Sequence, residues 1–201
     1  MTAELLEKFV SPVEEPDRRV KWTRAEFEKF EDSGLWGDRK FELLEGVLYD
    51  KMGKKPPHSK ALVKFNAWAH ANFDAESIRS ESPIAITPAD AERSRPEPDL
   101  VITTVGCDEY DGDPGADAIA LLIEVSDSTL REDLSTKTRL YARAGVQEYW
   151  VLDVRARRLI VQRIPKDDDY AEVRIIVEHD SIAPLCAPDK PLIVSSVLPK
   201  C

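Results

Sequence analysis

The sequence has few of the residues that build disulfide frameworks, zinc sites or flexible linkers. It contains three cysteines, none in a C-x-x-C pattern, and eight glycines against 14 prolines. An odd and scattered set of cysteines disfavours both a disulfide framework and a zinc site, so we expect reduced, inert thiols. The small number of glycines argues against flexible linkers and favours rigid turns.

Long apolar runs are missing as well. The longest apolar stretch, residues 118–123, is far too short to span a bilayer. The first seven residues carry acids where a signal peptide has a basic start followed by apolar residues. We therefore expect a cytosolic (cytoplasmic) protein with no membrane partner.

Several common catalytic motifs are also absent. The sequence has no P-loop, no dinucleotide-binding glycine pattern, no H-E-x-x-H and no G-x-S-x-G. Its net charge of −10 disfavours a broad nucleic-acid surface, because phosphate binding depends on lysine and arginine. A local basic face remains compatible with that charge.

The pattern of apolar and turn residues predicts one domain preceded by a short arm. Residues 1–21 are polar and aperiodic, which indicates an irregular N-terminal arm, and residues 22–201 have the length of a single domain. A capping box at Thr23 and Glu26 opens a first short helix, and a second helix begins near His58. A third helix spans about 130–144 and ends at Gly145.

Short β-rich runs alternate with these helices. Strands are expected on both sides of Gly46 and at about 77–81, 84–87, 99–105, 121–125, 149–152, 159–162 and 173–177. Residues 106–117 form an acidic loop without an element of its own, and residues 166–201 hold the last strand and a proline-rich tail. This order predicts an α/β (α+β) fold with a mixed sheet, flanking helices and additional β-hairpins.

A carboxylate inside an apolar strand is the first sign of chemistry. Glu124 lies between Ile123 and Val125, where an unpaired carboxylate would cost several kcal/mol. If 99–105 and 120–126 pair with Val105 opposite Ala120, Asp99 lies diagonal to Glu124 on the same face. Two such carboxylates could share one divalent cation, although two acids at strand ends meeting water would give the same spacing.

Three further side chains are candidates with open alternatives. Lys137 falls on the apolar stripe of the third helix, where it either faces a buried anion or pairs on the surface with Asp133. His58 stands at a helix start, as a cap or structural residue or as a ligand. Of Glu42 and Glu45, one can face inward, and alternation does not say which.

The order of these motifs resembles the Uma-two family of restriction-type endonucleases in the PD-(D/E)XK nuclease superfamily. The resemblance covers residues 22–165. It is carried by F-E-L-L-E-G at 41–46, P-H at 57–58, P-D at 98–99, I-E-V-S-D-S-T at 123–129, and D-x-x-x-K-x-x-x-Y-A-x-x-G-V-x-E-Y-W-x-x-D at 133–153.

The resemblance implies a restriction-endonuclease-like fold with a four-stranded mixed core sheet. It also implies a protein that binds Mg²⁺ (or Mn²⁺ in its place) and hydrolyses phosphodiesters. It implies that Asp99, Glu124 and Glu42 hold the metal. The superfamily's lysine would stand at Ser126, and the resemblance implies that Lys137 has taken over its role. His58 and Ser126 are further candidates for the site.

The expected function is therefore metal-dependent endonuclease cleavage of nucleic acid, with DNA as the expected substrate. One alternative is a catalytically idle module of the same fold that binds nucleic acid or a partner protein. Another is a structural protein, such as a homodimer joined through the Tyr149–Trp150 strand or the proline-rich tail.

Overall fold

The structure, a computed structural model, describes residues 20–51 and 55–200. The N-terminal arm predicted for residues 1–21 therefore falls almost wholly outside the described residues. No helix in the described ranges is both long enough and apolar enough to cross a membrane.

The first described elements are a capped helix and a hairpin. Helix α1 (Arg24–Asp32) begins with the predicted capping box, in which Thr23 and Glu26 satisfy each other's backbone N–H groups. Strands β1 (Phe41–Leu44) and β2 (Val47–Asp50) pair around a two-residue turn. Both turn residues, Glu45 and Gly46, have positive φ, a conformation that glycine adopts readily. A Cβ added at Gly46 would also lie only 2.9 Å from the Lys21 Cβ, which is too close.

A six-stranded mixed sheet forms the centre, in the order β3-β4-β5-β6-β7-β8. Its strands are β3 (Ile78–Ser80), β4 (Leu100–Thr103), β5 (Ile119–Ser126), β6 (Glu148–Asp153), β7 (Arg158–Lys166) and β8 (Asp169–Val177). Only β5 and β6 are parallel, and the other neighbours are antiparallel. The expected α/β class is confirmed, with two strands more than the four-stranded core that the resemblance implied.

Helices cover both faces of this sheet. Helix α2 (Pro56–Asn72) begins two residues before His58, because two prolines suit the first turn of a helix. A short helix, α3 (Pro88–Ala91), follows β3. The crossover from β5 to β6 contains α4 (Leu130–Glu132), a π-helical turn (Asp133–Lys137) and α5 (Thr138–Ala144), which ends at Gly145 as predicted.

The core consists of two apolar layers, one on each face of the sheet. Neighbouring residues of a strand point to opposite faces, so Ile123 belongs to one layer and Leu122 to the other. The layer that contains Ile123 packs under α2 and the C-terminal helix α6 (Val194–Val197). The layer that contains Leu122 packs under α5, and Glu124 lies on this second face.

Several local expectations were wrong. Residues 84–87 form no strand, because Ile84 and Ala85 bond to the loop residues Pro96 and Pro114 rather than to a neighbouring strand. The acidic loop contains a 3₁₀ turn at Cys107–Glu109. The proline-rich tail holds a small strand pair, β9 (Ser181–Ile182) and β10 (Leu192–Ile193), before α6.

The register of the β4–β5 hairpin also differs from the expectation. Val101 pairs with Leu122 rather than with Glu124, and the ladder is irregular between Ile102 and Thr103. The irregularity shifts the ladder by one residue, and the observed register of Leu100–Ile102 differs from the expected one by two residues. Continued past Leu100 and Ile123, the observed register sets Asp99 across from Glu124 rather than diagonal to it.

Candidate active site

Glu124 lies near the end of β5 and is almost completely buried, with 3% of its surface exposed. Its Oε1 accepts hydrogen bonds from the Lys137 ammonium at 2.7 Å and from the Tyr141 hydroxyl at 3.1 Å. Both donors come from the helical crossover that covers this face of the sheet. The charge that the apolar strand sequence indicated is therefore compensated by a buried cation.

Asp99 immediately precedes β4 and is also buried. Its Oδ2 accepts a hydrogen bond from the backbone N–H of Val125 at 2.8 Å. Its Oδ1 lies 3.3 Å from Nε2 of His58, at the start of α2. The alternative in which Asp99 and Glu124 are strand-end acids meeting water is wrong, since both are enclosed.

Glu42 is the inward-facing acid of the β1–β2 hairpin. Its Oε1 accepts from the backbone N–H of Glu97 at 2.7 Å and lies 3.1 Å from the Lys137 ammonium. Glu45 points away from the cleft and pairs with Arg139 at 3.1 Å, with 40% of its side chain exposed. The structure thus resolves the choice that strand alternation left open.

Lys137 stands at the centre of this group. Its ammonium is buried between Glu124 and Glu42, and Asp133 lies 3.8 Å away. The alternative of a surface pair with Asp133 is wrong, because Asp133 is itself only 2% exposed. The Asp133 carboxylate accepts further hydrogen bonds from the hydroxyls of Ser126 and Thr129.

The π-helical turn explains how Asp133 and Lys137 both face inward. A π turn holds one residue more than an α-helical turn and is frequent at functional sites. The backbone carbonyl of Asp133 accepts hydrogen bonds from the hydroxyls of Thr138, at 3.1 Å, and Tyr149, at 3.0 Å. These side chains help to satisfy the backbone where the regular ladder is interrupted.

Ser126, where the resemblance would place the superfamily's lysine, is not part of the cleft wall. It lies on the same face of β5 as Glu124, but its hydroxyl donates to Asp133. Ser126 therefore acts on the site through Asp133, and the ammonium beside Glu124 comes from Lys137.

A cleft with a cavity volume of about 130 Å³ lies among these elements. Its walls combine Glu42, Asp99, Glu124 and Asp133 with His58 and Lys137. The other polar residues of the lining include four acids and two bases: Tyr49, Asp50, Lys51, Lys55, Glu97, Asp127, Ser128, Thr129 and Glu132. The structure thus brings Glu42, His58, Asp99, Glu124 and Lys137 together.

The cleft holds more negative than positive charge. Burial raises the pKa of Glu124 well above its ordinary value, and the nearby acids Asp99, Asp133 and Glu42 add to the rise against the effect of Lys137. Burial alone would lower the pKa of Lys137, but Glu124, Glu42 and Asp133 outweigh it, so the pKa is raised and the ammonium is kept. Burial likewise raises the pKa of Asp133.

A divalent cation would suit this donor set. Carboxylate oxygens are the ligands that Mg²⁺ and Mn²⁺ prefer, and excess buried negative charge favours a bound cation. Within residues 20–51 and 55–200, no three acid, histidine or cysteine side chains already stand in the arrangement of a metal site. Here Glu42 and Glu124 point at the Lys137 ammonium.

Sequence reasoning missed two members of the group. Asp133 was considered only as a surface partner of Lys137, because a regular helix gives no sign of a π turn. Tyr141 belongs to the apolar stripe of the third helix and was given no role of its own, although its spacing of four from Lys137 places both on one helix face. Three polar residues at spacings of four, Asp133, Lys137 and Tyr141, were the available signal.

Comparisons with known proteins agree with this architecture. A search of curated proteins finds no match. The fold matches the crystal structure of "a putative nuclease belonging to DUF820 from Anabaena variabilis ATCC 29413" with a TM-score of 0.61 and 14% identity, over 88% of this chain and 97% of that one. The profile of the Uma2 family, described as "Putative restriction endonuclease", matches residues 24–190. Because that match covers well over half of this chain, the chain belongs to the Uma2 family.

Proposed function

We propose that the protein is a metal-dependent endonuclease that hydrolyses phosphodiester bonds in DNA. The observation that carries the proposal is the position of the Lys137 ammonium, 2.7 Å from Glu124 and 3.1 Å from Glu42, in the cleft that Asp99 also lines. The acids come from three separate parts of the chain. Their burial together has a high electrostatic cost that a purely structural cluster would not need.

Asp99 and Glu124 are the residues that would hold Mg²⁺, with Mn²⁺ as a substitute, and Glu42 would join them directly or through water. When bound, the cation would polarise the scissile phosphate and lower the pKa of an attacking water. His58 would keep the Asp99 carboxylate in position through its contact with Oδ1, while the Val125 N–H holds Oδ2. Both contacts fix the direction of the acid before any ligand binds.

Lys137 would orient the attacking water or stabilise negative charge on the reacting phosphate. A preorganised ammonium in a site with little water stabilises developing charge more strongly than one in solvent. Its contacts with Glu42 and Glu124 support this role despite the serine at position 126. Lys55, which is exposed and also lines the cleft, would offer positive charge to the substrate backbone, whereas the Lys51 ammonium is paired with Glu97 at 3.0 Å.

A second candidate function is an idle module that binds nucleic acid or a partner protein. The net charge of −10 favours the partner-protein form of this candidate, since a strongly acidic protein repels nucleic acid outside any local basic face. The two functions differ in their need for a cation and in the fate of the substrate.

A cleavage assay on supercoiled plasmid DNA, and on RNA in parallel, tests the proposal. We expect nicking or linearisation in Mg²⁺ or Mn²⁺ and none in EDTA. Glu124→Gln should lower the rate by about 10³-fold or more, in line with the loss of a charge that the chemistry needs. The hairpin supplies a matched pair of variants: Glu42→Gln should impair cleavage, and Glu45→Gln, outside the cleft, should not.

The contrary result is equally defined. A wild-type protein that cleaves neither nucleic acid with any divalent metal, yet retards DNA in EDTA, would favour the binding module. Equal losses in Glu42→Gln and Glu45→Gln would argue against the assignment of the cleft.

A further inference from the structure

The two edges of the central sheet are very different. Strand β3, at one edge, has three residues, whereas β8, at the other edge, has nine. Soluble proteins usually protect a sheet edge by keeping it short or by placing proline or lysine in it. Strand β8 has neither residue, and its nine residues leave a long edge open to pairing with another strand.

The side chains of β8 point to the same conclusion. Val173, Ile175 and Val177 are 55%, 57% and 54% exposed. Their spacing of two places all three on one face of the sheet, beside Ile160 of β7. Exposed β-branched residues in a row on one strand mark an interaction site more often than scattered single ones do.

The backbone along the outer side of β8 is available for pairing. Within the described ranges, β8 is hydrogen-bonded to β7 and to no other strand. A sheet edge of this kind presents a row of N–H and C=O groups to another extended strand. The nine residues give room for several such bonds.

Symmetry restricts how β8 could pair with β8 of a second copy. We consider an antiparallel pair related by a two-fold axis perpendicular to the sheet. Paired residues then lie on the same face of the joined sheet, so one residue of β8 must pair with the same residue of the other copy. Centring on Glu172 or Arg174 would set like charges against each other. Centring on Val173 sets Glu172 opposite Arg174 of the other copy, and the reverse, while Ala171 meets Ile175.

We propose that β8 pairs antiparallel with β8 of a second copy of this chain, centred on Val173, and joins the two six-stranded sheets into one. The opposite charges of Glu172 and Arg174, which face each other across the pair in this register, favour a second copy as the partner. In the single chain, Glu172 and Arg174 already pair with each other at 2.5 Å, so the dimer would complete an alternating group of four charges. The surface differs from the Tyr149–Trp150 strand considered above, whose residues are fully buried and inaccessible.

Sedimentation equilibrium of the full chain, from about 5 to about 200 µM, tests the pairing. One strand per subunit makes a small interface, so we expect a dimer with a dissociation constant in the micromolar range. Ile175→Lys should weaken it by about 10-fold or more, because a charge replaces an apolar contact in both copies. Val63→Lys is the matched control: Val63 is 68% exposed on α2, away from β8, and its change should leave the dimer intact.

Charge reversal tests the register. Glu172→Arg and Arg174→Glu should each weaken the dimer by about 10-fold, because two attractions become repulsions. The double variant should return to within about threefold of the wild type. Circular dichroism and thermal unfolding at low concentration check that each variant folds.

The experiments test the dimer and its register separately. A wild type that stays monomeric at the highest concentration overturns the proposal, and so does a dimer that Ile175→Lys leaves unchanged. Single reversals without recovery in the double variant overturn the register centred on Val173. None of these residues lines the cleft, so the result is independent of whether the protein cleaves DNA.

Discussion

Two buried ionic clusters within residues 20–51 and 55–200 differ in charge balance. At the start of β6, Glu148 is fully buried and receives hydrogen bonds from Arg163 and Trp150 on Oε1 and from the backbone N–H of Leu185 on Oε2. Arg163 also donates to the carbonyl of Ala183. One acid and one base thus satisfy each other and tie the C-terminal segment to the sheet.

The cleft cluster lies toward the other end of the β5–β6 pair and is not balanced. It places Glu42, Asp99, Glu124 and Asp133 around one lysine. A balanced buried pair with every polar atom bonded has a structural explanation. An excess of buried carboxylate can be offset by a retained proton or by a bound cation, and the second is what the function proposed above requires.

Arg163→Met should give the largest loss of stability. It leaves Glu148 buried without its charge partner, which costs about 3–5 kcal/mol in comparable cases. Urea unfolding measures the change, and adding Mn²⁺ should not restore it. A loss below about 1 kcal/mol would show that the Glu148 cluster is less important to folding than its burial indicates.

Lys137→Ala is the corresponding change in the cleft, with its main effect on catalysis. We expect a loss of about 10²-fold in cleavage rate, equal to about 2.7 kcal/mol, because a charge-stabilising donor is removed. Mn²⁺ affinity measured by calorimetry should be unchanged or higher, since the ammonium opposes the cation. Unlike Arg163→Met, this variant should regain stability when Mn²⁺ neutralises the remaining acids.

Full activity of Lys137→Ala, together with an inactive Glu124→Gln, would show that another group supplies the positive charge.

Glu124→Gln should alter the pH dependence of stability in EDTA. Burial raises the pKa of Glu124 above its ordinary value of 4.5, so the folded protein keeps a proton that the unfolded chain has lost. Stability therefore falls as the pH rises through that window. The variant should remove a slope of up to about 1.4 kcal/mol per pH unit, measured by urea unfolding between about pH 5 and about pH 8.

An identical pH slope in the wild type and Glu124→Gln would mean that Glu124 ionises normally despite its burial.

Asp99→Asn should give the smallest change in stability and the clearest change in metal binding. Without metal the variant should be equally stable or up to about 1 kcal/mol more stable, because one of several repelling carboxylates is neutralised. The amide oxygen can still accept from the Val125 N–H, so the fold is kept. Titration with Mn²⁺ should show no binding, and unchanged affinity would remove Asp99 from the metal ligands.

Much of the fold and part of the site could be predicted from local sequence signals. The capping box at Thr23 and the terminal glycine at Gly145 set helix ends through contacts within a few residues. Glu124 was identifiable because a charge interrupts an apolar strand. The β4–β5 register was not, because an irregularity at Ile102 depends on how two strands fit together.

The spacing of four links Asp133 to Lys137 in the sequence, but the burial of Asp133 could not be predicted, for a related reason. The angle between the Asp133 and Lys137 side chains around the helix axis differs between a regular α-helix and the π turn that the structure has. The turn is stabilised by hydroxyls of Thr138 and Tyr149, one of them 16 residues away in the chain. Such long-range bonds leave no periodic trace in the sequence.

The π turn also offers an internal reporter of the cleft. Its widened backbone interrupts the regular ladder, so amide protons between Asp133 and Thr138 should exchange with solvent deuterium faster than those of α5. The same turn carries Lys137, whose ammonium contacts two of the proposed ligands. Exchange rates at these few amides would therefore follow occupation of the cleft without a substrate, a label or an activity assay.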